Sequence, residues 1–327
     1  MIYIELDSTN VYENFGLEYY LAMEKLFEET VFLFWRTTPT LMLGRYQNLM
    51  EEINLPYVRE KGIHLVRRMS GGGTIYTDLG GWQFSFIDRD RGEEIDFRGY
   101  LSPILNALEK LSVHGEFNGR NDLCIAGRKF SGNAQYRLGK SIVHHGSLLF
   151  DTDIEQMVAS TKVDKCKIRS KSIQSVRERV CNIAEHLQEK ISPEAFKEKM
   201  LEAILTADPR SREYKLEYSE RERVSALAKE HFENREKLYG KNPKFSIEKT
   251  GRFPGGKMQF SFEVKEGKIQ EAAVSGDFFS TLDEKEIAEA FIGLYFDKDS
   301  LYEGLKSRNL EGKIYRISAE EIAEFLG

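Results

Sequence analysis

Arg67-Arg68-Met69-Ser70-Gly71-Gly72-Gly73-Thr74-Ile75-Tyr76-Thr77-Asp78 sets two cations against three consecutive glycines, followed by a β-branched and aromatic run. Adjacent glycines lose the most backbone entropy on folding and suit neither a helix nor a strand interior. They suit a backbone that turns sharply or that something must approach closely. Arginine beside such a loop points to an anion held by a guanidinium fork and by backbone N–H groups. The competing reading is a hairpin turn with two solvated arginines. The loop is not of the Walker A type, since no Gly-Lys-[Ser/Thr] follows.

Three more blocks follow in order: Gly119-Arg120-Asn121-Asp122, Gly127-Arg128-Lys129-Phe130-Ser131-Gly132-Asn133-Ala134-Gln135 and His144-His145-Gly146-Ser147-Leu148-Leu149. Together the four blocks resemble the lipoate–protein ligase family, with strong motifs from the N-terminus to about Arg179 and a weaker match beyond. The resemblance implies an α+β fold. It has a large domain of mixed β-sheet flanked by helices (biotin/lipoate ligase-like) and a small C-terminal α/β domain. The implied division is a catalytic domain over 1–244 and an accessory domain over 245–327.

The chain has 327 residues, 41% hydrophobic and 31% charged, enough for one large domain and a smaller one. A net charge of −6 and a pI near 5.7 argue against a general nucleic-acid binder. Cys124, Cys166 and Cys181 are sparse and odd in number, which favours a reducing cytoplasm over a disulfide framework. The N-terminus does not read as a signal peptide. The apolar run Val31-Phe32-Leu33-Phe34-Trp35 is too short to span a bilayer. A cytoplasmic protein without nucleic-acid or membrane partners, and a monomer, is expected.

Residues 31–35 and 40–43 read as buried strands around a Thr-Thr-Pro break, and 141–150 as another. Trp82, Phe84 and Phe86 alternate with Gln83 and Ser85, as in a strand with one face on the core. Phe15, Tyr19, Ala22, Met23 and Leu26, and later Leu101, Ile104, Leu105, Leu108 and Leu111, follow helical spacing. Ser219-x-x-Glu222, Thr281-x-x-Glu284 and Ser318-x-x-Glu321 look like helix starts. Asn242-Pro243 breaks the chain, with a domain boundary near 243–250. Lys257 to Ser275 reads as a hairpin turning at Glu266-Gly267.

The resemblance implies two half-reactions: lipoate and ATP give lipoyl-AMP and pyrophosphate, and a carrier-protein lysine then attacks the activated carbonyl. Both gather negative charge at one place, so a fixed cation there serves both. Lys129 matches the family's essential lysine. On spacing alone it also reads as a surface lysine after a hairpin tip at Ala126-Gly127. Arg68, Ser70, Gly71, Gly72, Gly73, Asn121, Asp122, Ser131, Gly132, Ala134, His145, Gly146, Lys171 and Arg179 are the implied substrate and adenylate contacts. Asp122 is the candidate Mg²⁺ ligand, since one carboxylate near phosphates fits a magnesium that keeps most of its waters. An Asx-type turn is the alternative for Asn121 and Asp122. His144 and His145 point to opposite faces of a strand, so at most one reaches the site. His145 is the family match, with a buried structural histidine as its alternative. The basic stretch 162–179 is implied to be a lid over the adenylate.

The chain departs from the family pattern at Thr77-Asp78-Leu79-Gly80-Gly81, where His-Asp-x-Gly-Asn is common, and at Ser172, where glycine is common. These departures bear on substrate or carrier preference. Octanoate is a second candidate acyl substrate. Glycine-cleavage H protein and the E2 lipoyl domains of 2-oxoacid dehydrogenases are the candidate carriers. Two rival readings are a cysteine-dependent octanoyl or lipoyl transferase using Cys124, and a non-catalytic lipoate-binding protein.

Overall fold

The computed structural model describes residues 1–47, 49–90, 95–119, 121–162, 176–234, 237–238, 247–265 and 267–327. Asn242-Pro243 and most of the basic stretch, Lys171 and Ser172 included, lie outside the described residues. The chain divides into two compact units. The larger holds Met1–Met42, Met50–Val66 and Ile75–Leu238, and the smaller holds Leu43–Leu49, Arg67–Thr74 and Tyr239–Gly327. No helix among the described residues is long and apolar enough to cross a membrane.

The larger unit begins with β1 (Ile2–Ile4), β2 (Val31–Trp35), β3 (Thr40–Leu43), β4 (His64–Arg67), β5 (Ile75–Thr77) and β6 (Gly81–Arg89). It continues with β7 (Glu116–Asn118), β8 (Asp122–Ile125), β9 (Arg128–Leu138), β10 (Ser141–Leu149) and β11 (Arg212–Glu213). Eight of these form one sheet in the order β11-β1-β2-β6-β10-β9-β8-β7. β1 runs parallel to β2 and β11, and the pairings from β2 to β7 are antiparallel, which makes the sheet mixed. A second sheet has the order β4-β3-β5.

Every residue of β2 is buried, as a continuous apolar run in a strand covered on both faces should be. β6 departs from the one-faced expectation: Gln83 and Ser85 are buried along with Trp82, Phe84 and Phe86. Helices cover both faces of the sheet there, so its polar positions face protein too. The helix Val11–Tyr20 starts where the Asn10 side chain accepts from the Tyr12 amide. It runs into a π-turn over Leu21–Lys25 that ends at Leu26 in the left-handed region. The helix Arg98–Lys110 buries Leu101, Ile104 and Leu108 as its spacing predicts.

Two helix starts differ from expectation. The capping boxes are Glu217 with Glu220 and Asp283 with Glu286, rather than the pairs at 219/222 and 281/284. In each case a carboxylate captures the third amide of the helix and displaces the hydroxyl from that role. Ser318 with Glu321 forms the expected box.

In the smaller unit, β12 (Ile247–Phe253), β13 (Gly256–Lys265) and β14 (Lys268–Gly276) form an antiparallel sheet. Short helices at Glu284–Glu289, Lys298–Ser307 and Ala319–Leu326 accompany it. Phe260, Phe262, Phe278, Phe291, Leu301 and Ile322 fill its core. Tyr46, from the early segment, stacks on Phe278 at 4.4 Å and donates to the Leu282 carbonyl at 2.6 Å.

Candidate active site

Lys129 stands at the start of β9, just past a turn in which Ala126 and Gly127 both take positive φ. Two consecutive left-handed residues give the tight hairpin expected there. β8 and β9 do not pair evenly: Leu123 faces Ser131, Cys124 faces Lys129, and Phe130 has no partner on β8. This bulge decides where Lys129 points. In a regular strand residues 129 and 132 would project to opposite faces. One extra residue rephases the strand and brings the lysine to the face of Gly132. The Lys129 ammonium lies 3.0 Å from the position of a Cβ on Gly132, so the missing side chain is the space the lysine occupies.

Asp122, opposite Gly132 on β8, pairs with Lys129 at Oδ1···Nζ 2.7 Å. Both side chains stay about one-third exposed, which keeps the cation within reach of a ligand. The Lys129 backbone is fixed from the other side, its amide donating to the Arg179 carbonyl at 2.7 Å and its carbonyl accepting from the Cys181 amide at 3.0 Å. Arg179 therefore contributes a main-chain contact to the lysine, while its side chain is exposed.

Directly paired residues share a sheet face. By that rule Asp122, Gly132, Ala134 and His145 lie on the face of Lys129, and Ser131 and Gly146 lie on the opposite one. The Gly146 hydrogen points at the Asn133 side chain and the Phe84 ring. Asn121 uses its side-chain amide on the Asn133 carbonyl at 2.6 Å, so it latches the turn to β9.

His145 is buried, and its Nδ1 lies 3.1 and 3.2 Å from the two carboxylate oxygens of Glu18. Ser85 and Tyr136 also donate to Glu18. Burial pushes the Glu18 carboxyl up, but His145 and these donors outweigh it and hold the group below its ordinary value. Sequence reading missed Glu18. Its signal was a carboxylate three residues after Phe15, on the core side of an amphipathic helix. His144 faces the other way, stacked on Tyr100 at 4.9 Å with Phe97 and Phe84 nearby.

The expected contacts Arg68, Ser70, Gly71, Gly72 and Gly73 belong to the smaller unit. Arg68 is buried there, and its guanidinium donates to the carbonyls of Gly71 and Gly73 and to the Ser70 hydroxyl. At least three of its donors thus hold the glycine loop itself. A Cβ on Gly71 would meet the Phe278 carbonyl oxygen at 2.1 Å, and Gly72 takes φ +92°. What approaches Gly71 closely is the chain's own backbone, and Gly72 faces the Phe279 ring and the Arg68 guanidinium.

Around the Thr77–Gly81 departure, the buried Asp78 carboxylate accepts from the amides of Gly80 and Asp153. A Cβ on Gly81 would stand 2.9 Å from the Thr152 hydroxyl, so the larger residue of the family pattern meets an obstacle here. Cys124 is buried in β8, and burial raises its thiol.

A lysine about one-third exposed, held over a glycine and paired with one carboxylate, is able to stabilise negative charge building on a ligand beside it. The chain belongs to the lipoyl protein ligase A/B family. The family's catalytic-domain profile matches residues 10–205, and the bacterial lipoate protein ligase C-terminus profile matches residues 242–326. The chain is 37% identical over 327 residues to the lipoate-protein ligase LplJ of Bacillus subtilis, covering 98% of this chain and 99% of that one. Among solved structures, P. falciparum LipL1 in complex with lipoate gives a TM-score of 0.75 at 21% identity, covering 94% of each chain, a likeness of fold. A bi-partite lipoate protein ligase from Thermoplasma acidophilum, studied with its E2 lipoyl domain, gives a TM-score of 0.64 at 25% identity. That match covers 75% of this chain and 98% of the other.

Proposed function

We propose that this chain is an ATP-dependent lipoate–protein ligase in which Lys129 is the catalytic cation. The observation that carries the reading is the Lys129 ammonium, steered by a bulge onto Gly132 and paired with Asp122 at 2.7 Å. In the first half-reaction a lipoate carboxylate oxygen attacks the α-phosphorus of ATP, and pyrophosphate leaves. In the second, the neutral amine of a carrier lysine attacks the acyl carbonyl, AMP leaves, and the amine loses a proton. Negative charge builds on the α-phosphoryl oxygens in the first step and on the acyl oxygen in the second; the mixed anhydride holds these two centres side by side, and a fixed ammonium there serves each. Lysine suits this as a compact point charge with three donors.

Asp122 supplies a hard oxygen donor, and one carboxylate suits a magnesium that keeps most of its waters. When bound, the ion would neutralise phosphate charge, with Asp122 holding it. Gly132, Ala134, His145 and the Arg179 main chain belong to this reading of the larger unit. The Arg68–Gly73 loop is read as a substrate contact of the smaller unit on the family pattern alone. The domain division at 244/245, cytoplasmic location and a monomeric state complete the reading. The acceptor class is a lipoyl-domain carrier, with glycine-cleavage H protein and E2 subunits as the specific candidates.

The burial of Cys124 and the upward push on its thiol disfavour the transferase alternative. The deciding experiment is lipoate-dependent exchange of pyrophosphate into ATP. Exchange lost in Lys129→Ala and kept in Cys124→Ala is expected. No exchange in the wild type, with acyl transfer that fails in Cys124→Ala, would make the protein a thiol transferase.

A further inference from the structure

One row of paired residues crosses the sheet beside Lys129. Asp122, Gly132, Ser147, Gln83 and Trp35 stand opposite one another on β8, β9, β10, β6 and β2. All five share the face to which the Lys129 ammonium is turned. The row descends into the protein: the Lys129 side chain is 38% exposed, whereas Gln83 is 3% exposed.

At the buried end, Gln83 Nε2 donates to the Thr77 hydroxyl, and Gln83 Oε1 has no hydrogen-bond partner among the described residues. A buried amide atom in that state calls for a partner. The Thr77 hydroxyl can donate as well as accept, so the amide can be turned over with this bond kept. It then presents N–H to the row instead of C=O. From Gly132 to Gln83 the row spans two strand spacings, about 10 Å. That is the reach of a short, extended acyl chain.

We propose that Gln83 is a specificity-determining residue for the acyl substrate. With the carboxyl group at Lys129, the Gln83 amide meets the sulfur-bearing end of a lipoyl chain and favours it over an all-hydrocarbon octanoyl chain. The inference rests on the reading of Lys129 given above. A ring sulfur is a weak acceptor that offers the amide N–H a partner, while the terminal methyl of octanoate offers none. Trp35 and Phe15, buried with their rings edge-on at 5.3 Å, are apolar and do not distinguish the two chains. Thr77, one of the departures from the family pattern, acquires a role as the group that holds the amide.

The test is pyrophosphate exchange driven by lipoate and by octanoate in wild type, Gln83→Leu and Thr77→Val, each variant checked for a cooperative melt. The lipoate-to-octanoate ratio of kcat/KM is expected to fall roughly tenfold in Gln83→Leu and by less in Thr77→Val. If Gln83→Leu does not fold, Thr77→Val decides by the direction of its shift. Ratios equal to wild type in the folded variants overturn the proposal and leave the ligase reading standing. A wild type that exchanges with neither acid removes both.

Discussion

The ammonium of Lys129 occupies the space that a side chain at Gly132 would take, 3.0 Å from its Cβ position. The two residues are therefore one functional choice. In Gly132→Ala the flexible end of the lysine can move aside, so the fold should survive with little loss of stability. The ammonium is displaced, and misplacement of about 1 Å costs on the order of 100-fold in rate. Lipoate-dependent exchange is expected to fall between roughly 10- and 100-fold while the melting temperature holds. Exchange equal to wild type would show that the ammonium does not act from this position.

His144 gives the protein an acid-sensitive point away from the lysine. Burial among Tyr100, Phe97 and Phe84, with a smaller contribution from His145, pushes its imidazole from 6.5 down to about 3. Between those two values the unfolded chain takes up a proton that the folded chain refuses. Stability therefore falls as pH drops through that window. His144→Phe keeps an aromatic ring and removes the proton site. Its urea-unfolding free energy is expected to lose roughly 3 kcal/mol less than wild type between pH 7 and pH 4. Parallel curves for the two proteins would contradict the assignment.

The glycine loop makes a sharper contrast. A Cβ on Gly71 would collide with the Phe278 carbonyl oxygen at 2.1 Å, while the nearest atom to one on Gly73 is 3.9 Å away. Gly71→Ala is expected to destabilise the smaller unit by about 3 kcal/mol or more, and Gly73→Ala to stay within about 0.5 kcal/mol of wild type. Thermal melts with proteolysis of the C-terminal portion would report both. Equal melts for the two variants would refute this account of the loop.

Much of the fold was legible because its signals are local. Strands at 31–35 and 40–43, the turn at Ala126-Gly127, the hairpin of β13 and β14 and the Ser318 cap follow from neighbouring residues alone. The site was less legible because its geometry depends on pairing. Residues 129 and 132 share a face only because Phe130 is unpaired on β8, and no periodicity announces a bulge. Gln83 and Ser85 read as the wet side of a strand until the second face is known to be covered. Arg68 was read as an anion fork, yet at least three of its donors go to its own loop, which a linear motif cannot distinguish.

The smaller unit is stitched from three separated stretches of chain, and its core includes the Tyr46 ring stacked on Phe278. Gly72 donates to the Phe278 carbonyl, and Arg45 pairs with Glu284 at 2.8 Å. A gene fragment starting at codon 245 would encode a protein without that ring, that hydrogen bond and that ion pair. The unit is thus no detachable cassette. Recombination that shuffled only the 3′ end between related genes would graft a foreign surface onto Tyr46 and Gly72, and these early segments would have to travel with it.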